Sequence, residues 1–391
     1  MLHAPKDAGK QQHGVNESRI QVASPNLPDL EALLPRLREI WASRDLTNGR
    51  TVAEFEQKVA AGMPGREAIA VSSCTSGLML VLRALGVEGE VLLPSFTFTA
   101  SAHAVVWAGC TPVFVECDPS TLNVDIADLE RRITPQTRAL LAVYVSGNPP
   151  ALAALEEIAA KHGLKLILDA AHALGATYQG RPAGTFGDAE VFSLSPTKTI
   201  TTCEGGIVSV RDADVARRMR IGRNYANPGN YDCEFIGLNA RMSEIHALVG
   251  LQCHDALREN VIERRRLASV YAERLQRLRG VYLQKIESGN ECSFKDFSLR
   301  IVAAEFGASR DDVRAALDQR GIETRTYFDP PVHRQAAYRN RNLGSGPELP
   351  TTDSVASEIL NLPLYVGLSA GDLERVVQVI ETISARAAVG V

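Results

Sequence analysis

LKLILDAAHALGA, at residues 164–176, joins a short apolar run to an aspartate. The run from Leu164 to Leu168 follows Gly163, a residue type that commonly ends a helix, and it predicts a strand buried on both faces. Asp169 then stands at the carboxyl end of that strand. Ligands of an open α/β sheet bind along this edge, so the carboxylate of Asp169 is placed to meet one.

FSLSPTKTITTCEGG, at residues 192–206, places Lys198 between a second apolar run, residues 189–194, and the paired glycines Gly205 and Gly206. A lysine on a constrained turn at a sheet edge can form a Schiff base, and an acid can protonate a pyridine nitrogen. Asp169 and Lys198 together are therefore the minimum equipment of a pyridoxal phosphate site. Each also has an ordinary alternative: Lys198 could be a solvated charge, and Asp169 could only cap the segment that follows it.

The sequence alternates between strand and helix signals from about residue 67. Such alternation predicts a mostly parallel sheet, and 391 residues are too many for a single core. We predict an α/β fold in which a large domain, a mostly parallel mixed sheet flanked by helices, is joined to a smaller C-terminal α+β domain. A long helical stretch from about Met242 to Leu278 is predicted to link them. The predicted boundaries are 1–25 for a flexible N-terminal tail, 26–250 for the large pyridoxal-phosphate-binding domain, and 251–391 for the linking helix and small domain.

Composition excludes several classes of function. The net charge of -4 gives no basic footprint, so we expect no nucleic-acid partner. The apolar runs fall short of a membrane span, and the polar N-terminus has no apolar signal core, so we expect a cytoplasmic protein without membrane contact. Seven cysteines form no CxxC pair and are odd in number, which argues against a zinc site or a disulfide framework.

Nine motifs follow one another along the chain from about Leu46 to the C-terminal helix. They are LTNGRTVAEFEQ (46–57), SSCTSGL (72–78), PSFTFTAS (94–101), DAAHALGA (169–176), FSLSPTK (192–198), EGG (204–206), GLNARMSEIHA (237–247), YFDPPVH (327–333) and NLPLY (361–365). In this order they resemble the DegT/DnrJ group of sugar aminotransferases. That group belongs to the aspartate-aminotransferase-like superfamily of pyridoxal phosphate enzymes, known as fold type I.

The resemblance implies roles for three residues around the cofactor ring. Lys198 would hold pyridoxal phosphate and carry the proton during amine transfer. Asp169 would pair with the ring nitrogen and keep it cationic, so that the ring accepts electrons. His172 would lie near the phenolic oxygen of the cofactor, although a histidine within the core is the alternative.

Further residues are expected around the phosphate and the ring. Thr75 and Ser76 open an apolar helix, whose first N–H groups and dipole favour an anion, although they also serve as an ordinary cap. The resemblance adds Ser193, and Asn239 contributed by the neighbouring subunit, so the active site would be completed only in a homodimer. Phe98 would lie flat against the ring, the alternative being simple core.

Two residues are candidates for the part of the site that would bind the substrate. By resemblance, Tyr327 and His333 are candidates for contacting the nucleotide sugar, and either could equally be a structural residue of the joint between the domains. Several positions depart from the usual pattern of the group, among them Ser195 with Pro196 and the segment VYVSGNPP (143–150), which lacks a common histidine. Cys74 and Cys203 stand where glycine is common, and Ala240 replaces a tyrosine.

These observations predict a pyridoxal-phosphate-dependent aminotransferase that moves an amino group from glutamate to a keto sugar of a nucleoside-diphosphate sugar. The finer expectation is amination at C-4 of dTDP-4-keto-6-deoxyhexose, giving dTDP-4-amino-4,6-dideoxyhexose. The alternatives are a C-3 keto sugar or an aminocyclitol ketone. A pyridoxal phosphate sugar dehydratase or a non-catalytic sugar-nucleotide sensor on the same scaffold are also alternatives, but the presence of Lys198 argues against both.

Overall fold

A seven-stranded sheet forms the centre of the large unit in the computed structural model, which describes residues 19–339 and 348–389. The strand order is β1-β9-β8-β5-β4-β2-β3. Every neighbouring pair is parallel except the two that involve β9, which runs antiparallel to β1 and to β8. The predicted α/β fold with a mostly parallel mixed sheet flanked by helices is confirmed.

The twelve strands of the described residues fall into three sheets. They are β1 (Glu67–Val71), β2 (Glu90–Pro94), β3 (Thr111–Val115), β4 (Thr137–Val143), β5 (Lys165–Asp169), β6 (Thr177–Tyr178), β7 (Arg181–Pro182), β8 (Ala189–Ser193), β9 (Gly206–Val210), β10 (Val281–Leu283), β11 (Phe297–Ile301) and β12 (Ile359–Leu362). β6 pairs with β7, and β10, β11 and β12 form an antiparallel sheet of the smaller unit.

Fourteen α-helices occur in the same described residues. They are α1 (Leu30–Ser43), α2 (Arg50–Ala60), α3 (Cys74–Ala84), α4 (Thr99–Trp107), α5 (Ile126–Arg131), α6 (Leu152–His162), α7 (Ala213–Gly222), α8 (Glu244–Asp255), α9 (Leu257–Leu275), α10 (Ala303–Phe306), α11 (Arg310–Asp318), α12 (Ala336–Arg339), α13 (Pro350–Glu358) and α14 (Ala370–Val389). Short 3₁₀ turns occupy Val145–Gly147 and Val332–Arg334. No helix of the described part of the chain is long and apolar enough to cross a membrane.

Successive side chains along a strand point to opposite faces of the sheet, so they pack into two separate hydrophobic cores. In β5, Ile167 packs with α3 and α4 on one face of the sheet, whereas Leu166 and Leu168 pack with α2 and α6 on the other. All three side chains are almost fully buried. Helices therefore cover both faces of β5, as its apolar run predicted.

The smaller unit has a third core, formed around β11, β12, α9, α11 and α14. The N-terminal segment contributes to it: Ile20 is 3% exposed, and its N–H donates to the Gly321 carbonyl at 2.8 Å. This differs from the flexible tail predicted over residues 1–25, because the backbone of Ile20 pairs with the small unit on both sides of Ile322. Residues 1–18 of that predicted tail lie outside the described residues.

The linking stretch contains a break that its prediction did not include. The helical stretch expected from Met242 to Leu278 consists of two helices, α8 and α9, separated at Ala256. Cys253 of α8 packs in the core of the large unit, whereas Tyr271 of α9 packs in the core of the small one. The predicted domain boundary at residue 250 consequently falls inside α8 rather than between the two helices.

Candidate active site

A cavity of about 340 Å³ opens at the carboxyl edge of the large sheet. Seven side chains singled out in the sequence line it: Thr75, Phe98, Asp169, His172, Ser193, Lys198 and Tyr327. They meet there because β1, β5 and β8 all end at this edge, so the segments that follow these strands converge. Ser76, Asn239 and His333 do not line the cavity.

Asp169 is a buried acid held by two donors. Its Oδ2 accepts a hydrogen bond from Ser101 Oγ at 2.6 Å, and its Oδ1 accepts one from the Ala171 N–H at 3.1 Å. Burial raises the pKa of this carboxyl, and the two hydrogen bonds and the charge of Lys198 offset part of the increase. A carboxylate in these surroundings is stabilised by any cation placed beside it.

Lys198 faces the same cavity from the turn after β8. Burial lowers the pKa of its amine to about 8, and the neighbouring positive charge of Lys295 acts in the same direction. The backbone after it is fixed, because the Thr199 carbonyl accepts a hydrogen bond from Asn260 Nδ2 of α9 at 3.0 Å. The turn that carries the lysine is therefore held in place, and part of the amine is uncharged near neutral pH.

His172 lines the cavity between these two groups and the small unit. Burial lowers the pKa of the imidazole well below its ordinary value, and Lys198 acts in the same direction. Its Nδ1 lies 3.9 Å from Asp296 Oδ2, and its carbonyl accepts a hydrogen bond from Ser293 Oγ. The imidazole is therefore uncharged while Ser293 holds the backbone of His172, which suits a hydrogen bond from the ring to an oxygen of a bound group.

The start of α3 offers a place for an anion. Ser73 is the N-cap residue, and it forms a capping box with Ser76 in which each side chain accepts from the backbone N–H of the other. Ser76 is thus used within the cap, while Thr75 in the first turn and Ser193 at the end of β8 line the cavity. First-turn N–H groups have no partner within their helix, so they and the hydroxyls can cradle a phosphate.

Three phenylalanine and tyrosine side chains line the cavity: Phe98, Tyr327 and Phe328. Phe98 is 59% exposed, and its ring centroid lies 6.4 Å from that of Phe328. Tyr327 lies next to Phe328 and is fixed by a hydrogen bond from its N–H to Asn361 Oδ1 at 2.7 Å. Phe98 is therefore accessible to a flat ring bound in the cavity, as its predicted role requires.

His333 lies at the joint between the units. Its Nδ1 is 2.6 Å from Ser95 Oγ, just beyond β2, and its Nε2 is 3.2 Å from Asp353 Oδ1 of α13. These contacts match the structural alternative considered for this residue. Its contact with substrate stays a prediction.

Asn239 is exposed, and its backbone bridges to that of Asn224. It lies on the surface rather than in the cavity of its own chain. This position is compatible with a contribution to another subunit, which also stays a prediction.

The unusual cysteines take up positions with clear consequences. Cys203 has a φ of 66°, in the left-handed region that favours glycine, which accounts for glycine being common there. Cys74 lines the cavity with its Sγ 3.9 Å from Asp169 Oδ1. Burial and the charge of Asp169 raise the pKa of the Cys74 thiol well above its ordinary value, so it remains protonated.

An ion pair that was not predicted from the sequence also lines the cavity. Lys295 and Asp296 both line it, and their Nζ and Oδ1 atoms are 2.6 Å apart. The one signal available was the pair of charges in SFKDF, at residues 293–297, immediately before an apolar strand. Charges in such a place usually indicate a solvated loop, so the sequence pattern gave no reason to select them.

The chemistry of these groups fits pyridoxal phosphate. An acid suited to a ring nitrogen, an amine with a lowered pKa, a neutral imidazole and the open first turn of a helix face one cavity. Asp169 and Lys198 could hold the ring, and Thr75, Ser193 and the start of α3 could hold the phosphate.

Comparison with known proteins gives a match over nearly the whole chain. Residues 29–381 match the DegT/DnrJ/EryC1/StrS aminotransferase family. The chain is 35% identical over 372 residues to GDP-perosamine synthase of Caulobacter vibrioides, covering 93% of this chain and 98% of that one. It is 33% identical to dTDP-4-amino-4,6-dideoxy-D-glucose transaminase of Shigella dysenteriae, covering 94% and 100%. Its identity to dTDP-3-amino-3,4,6-trideoxy-alpha-D-glucose transaminase of Streptomyces venezuelae is 35%, covering 91% and 96%.

The fold also matches solved structures. DesI, crystallised in the presence of its TDP-sugar product, superposes with a TM-score of 0.89 and 38% sequence identity. The match covers 95% of this chain and 94% of DesI. Sequence and structure thus point to the same group of proteins.

Proposed function

Since the chain belongs to the DegT/DnrJ/EryC1/StrS aminotransferase family and is a nucleotide-sugar aminotransferase, we propose that it aminates C-4 of a dTDP-linked 4-keto-6-deoxyhexose with glutamate as the amino donor. The product would be a dTDP-4-amino-4,6-dideoxyhexose. The observation that carries the proposal is the meeting of Asp169 and Lys198 in one cavity beside an anion cradle. The relative from Shigella dysenteriae, whose name gives a 4-amino-4,6-dideoxy sugar, supports the choice of carbon.

Pyridoxal phosphate, when bound, would supply a carbonyl that takes up the amine and a ring that draws electrons from the reacting carbon. The chain's own groups divide the remaining work. Lys198 Nζ, with its lowered pKa, would accept the proton from the donor carbon and return it to the sugar carbon. The carboxylate of Asp169 would hold the proton on the ring nitrogen, and His172 would donate to the phenolic oxygen.

Phosphate binding would rest on Thr75, Ser193 and the first-turn N–H groups of α3. Asn239 from the neighbouring subunit would complete this end of the site. Tyr327 would contact the nucleotide sugar, and Phe98 would stack on the ring. These assignments require groups to enter the cavity from two directions, the sheet edge and the partner.

We propose a homodimer for the same reason. Large apolar side chains are exposed on the large unit, among them Trp41 at 70% and Trp107 at 74%. Ile236, three residues before Asn239, is also 75% exposed. Exposed apolar side chains close to a surface asparagine fit a contact that carries Asn239 into the neighbouring cavity.

Amination at C-3 is the second candidate. The relative from Streptomyces venezuelae, whose name gives a 3-amino-3,4,6-trideoxy sugar, is 35% identical to this chain, so overall identity does not separate the two carbons. The side chains that contact the remaining substituents of the sugar ring must therefore determine whether C-3 or C-4 is aminated.

The test is direct transfer of labelled nitrogen. The protein is reconstituted with pyridoxal phosphate and given ¹⁵N-glutamate with dTDP-4-keto-6-deoxyglucose or with a dTDP-linked 3-keto isomer. We expect ¹⁵N at C-4 of the sugar, located by NMR and mass spectrometry. Label only at C-3 of the isomer would reject the proposed carbon, and labelling of neither sugar would reject dTDP sugars as substrates.

A further inference from the structure

A buried ion pair faces the active-site cavity from the smaller unit. Lys295 Nζ lies 2.6 Å from Asp296 Oδ1, and the two side chains are 5% and 8% exposed. Both residues immediately precede β11 of the small unit, whereas Asp169 and Lys198 reach the cavity from the large sheet and the turn after β8.

The backbone of the pair is fixed on both sides. The Lys295 N–H donates to the Ser146 carbonyl of the large unit at 3.0 Å. The Lys295 carbonyl accepts from Arg264 Nη1 of α9 at 3.2 Å, and Arg264 is itself only 2% exposed. A charged pair on so constrained a backbone presents its polar atoms in a defined direction, as a recognition site requires.

The contribution of the Lys295–Asp296 ion pair to the stability of the fold does not explain its presence. Removing two charges from water costs about as much as their attraction returns, so a buried ion pair is weak evidence of stabilisation. Burial opposes ionisation of Asp296, yet the charge and hydrogen bond of Lys295, together with His172, hold the pKa of this carboxyl at about 2. Two charged groups are thus kept in the wall of a ligand cavity, where such groups commonly act on the ligand.

The pair retains hydrogen-bonding capacity on both members. The ammonium of Lys295 has three N–H groups, and Asp296 Oδ1 takes one of them. The second oxygen, Asp296 Oδ2, is 3.9 Å from His172 Nδ1, which is too long for a hydrogen bond. Lys295 therefore keeps N–H donors and Asp296 keeps an acceptor oxygen, Oδ2, on two side chains that are in direct contact through Nζ and Oδ1.

Adjacent hydroxyl groups of a sugar ring match this arrangement. Each hydroxyl can donate one hydrogen bond and accept others, and neighbouring oxygens on a pyranose are about one hydrogen-bond length apart. One hydroxyl would donate to Asp296 while its neighbour accepts from Lys295, and both bonds would be strengthened by the charges. We propose that Lys295 and Asp296 recognise a pair of adjacent hydroxyl groups on the keto sugar; this rests on the function proposed above.

The inference distinguishes between the two candidate carbons. A ketone at C-4 leaves the C-2 and C-3 hydroxyls next to each other. A ketone at C-3 leaves hydroxyls at C-2 and C-4, which are separated by the carbonyl. The Lys295–Asp296 pair thus selects the 4-ketone, because the 3-ketone presents no adjacent pair.

Glutamate is the other molecule that enters the cavity, and Lys295 could in principle attract its carboxylates. Asp296 opposes this, since its negative charge lies 2.6 Å from the ammonium and would repel a dicarboxylate. A neutral, hydroxylated sugar meets no such repulsion. Measuring the glutamate half and the sugar half of the reaction independently distinguishes a role in binding glutamate from a role in binding the sugar.

The experiment compares the wild-type holoenzyme with the double variant Lys295→Gln/Asp296→Asn. Because the pair is neutral as a whole, the double change leaves the net charge of the cavity unchanged. For both proteins, kcat/KM is measured with dTDP-4-keto-6-deoxyglucose and with its 3-deoxy analogue, which lacks one of the adjacent hydroxyls. The glutamate half is followed separately, as 2-oxoglutarate released in a single turnover. Calorimetry with the 4-amino sugar product gives an affinity that does not depend on turnover.

We expect the wild type to prefer the diol over the 3-deoxy analogue by at least about a hundredfold, because the analogue leaves buried polar groups unpaired. In the double variant this preference should fall to within a few-fold of unity. The affinity for the product should fall with it, while the glutamate half stays within a few-fold of wild type. The matched control is Lys285→Gln/Glu287→Gln, an exposed ion pair with a 2.8 Å contact, which should leave the preference unchanged.

Two results would overturn the inference alone: a double variant that still prefers the diol by the wild-type ratio, or a loss confined to the glutamate half. The second would make the pair a carboxylate site. If the wild type aminates only the 3-ketone, the proposed carbon and this inference fail together. If it aminates the 4-ketone but accepts the 3-deoxy analogue equally well, the function stands and the inference fails.

Discussion

Burial shifts the pKa values of the two central ionisable groups of the cavity, Asp169 and Lys198, in opposite directions. It raises the pKa of Asp169 and lowers that of Lys198, so each is brought closer to neutrality. The acid and the amine thereby become more responsive to a bound group that carries the opposite charge. Pairs whose surroundings shift them in this way commonly provide the acid and the base of an active site.

Replacing Lys198 with alanine should lower turnover by at least about a thousandfold, since the other lysine of the cavity, Lys295, is held in an ion pair with Asp296 and does not replace the proton carrier. The rate of ¹⁵N transfer measures this. Circular dichroism should show unchanged secondary structure, because the turn is held by Asn260 through the Thr199 carbonyl rather than by the lysine side chain. Ordinary turnover in the variant would reject the mechanism.

The lowered pKa of Lys198 predicts how pH affects cofactor uptake. An amine reacts with an aldehyde only when it is uncharged, so uptake of pyridoxal phosphate by the cofactor-free protein should accelerate as pH rises through about 8. Replacing Lys295 with methionine removes a neighbouring positive charge, which should raise the pKa of Lys198 and move the midpoint to higher pH. Absorbance changes after mixing measure the rate.

The matched control for this pH profile is Lys285→Met, which removes an exposed lysine outside the cavity and should leave the midpoint in place. A wild-type midpoint close to the ordinary lysine value, or a shift to lower pH in Lys295→Met, would contradict the assignment.

The residues of the cavity that follow strands of the large sheet could be predicted from the sequence, as could Tyr327, whereas the Lys295–Asp296 pair of the small unit could not. Asp169 and Lys198 could be predicted because an apolar run marks the end of a strand, and such ends meet at one edge. Lys295 and Asp296 could not, since their burial depends on Ser146 and Arg264, which are distant in the sequence. Their position is a property of tertiary packing alone.

At the level of elements, one buried carboxylate joins two helices. Glu244, the first residue of α8, is 2% exposed and accepts hydrogen bonds from the backbone N–H groups of Gly49, Thr51 and Val52 at the start of α2. A side chain from α8 thus caps α2, which has no side-chain cap of its own. The motifs at 46–57 and 237–247 meet at this contact.

Replacing Glu244 with alanine should lower the free energy of unfolding by about 2–4 kcal/mol, because three N–H groups lose a charged acceptor while remaining buried. Urea denaturation followed by circular dichroism measures the change. Glu244→Gln keeps one acceptor oxygen and should lose less. Equal stability of wild type and Glu244→Ala would show that water or another group satisfies the start of α2.

Some boundaries of helices and strands could be predicted from the sequence and others could not. Strands and helices with regular apolar patterns could be predicted, as β5 and α6 illustrate. The break between α8 and α9 could not, because it falls at Ala256, a strong helix former, with neither proline nor glycine to mark it. The break is set by the two helices packing into different cores.

For the whole molecule, the proposed shared active site can be tested by mixing inactive subunits. Lys198→Ala and Asn239→Ala should each be impaired as homodimers. After denaturation and refolding together, a mixed dimer contains one site with both an intact Lys198 and an intact Asn239 from its neighbour. We therefore expect part of the wild-type activity to return, measured as ¹⁵N transfer.

The control is each variant refolded alone, which should remain impaired. Failure of the mixture to recover activity, with dimers present by light scattering, would show that Asn239 acts within its own chain or not at all.

The cavity is built from two units that can change independently. The groups assigned to chemistry, Asp169 and Lys198, belong to the large sheet, while Lys295 and Asp296 stand at the start of a strand in the small unit. If the pair recognises the sugar as proposed, substitutions in this short segment before β11 alter which sugar is accepted while Asp169 and Lys198 stay in place. Duplicated copies of such a gene could diverge toward new amino sugars through a few changes there, and a laboratory library confined to residues 293–297 would explore the same route.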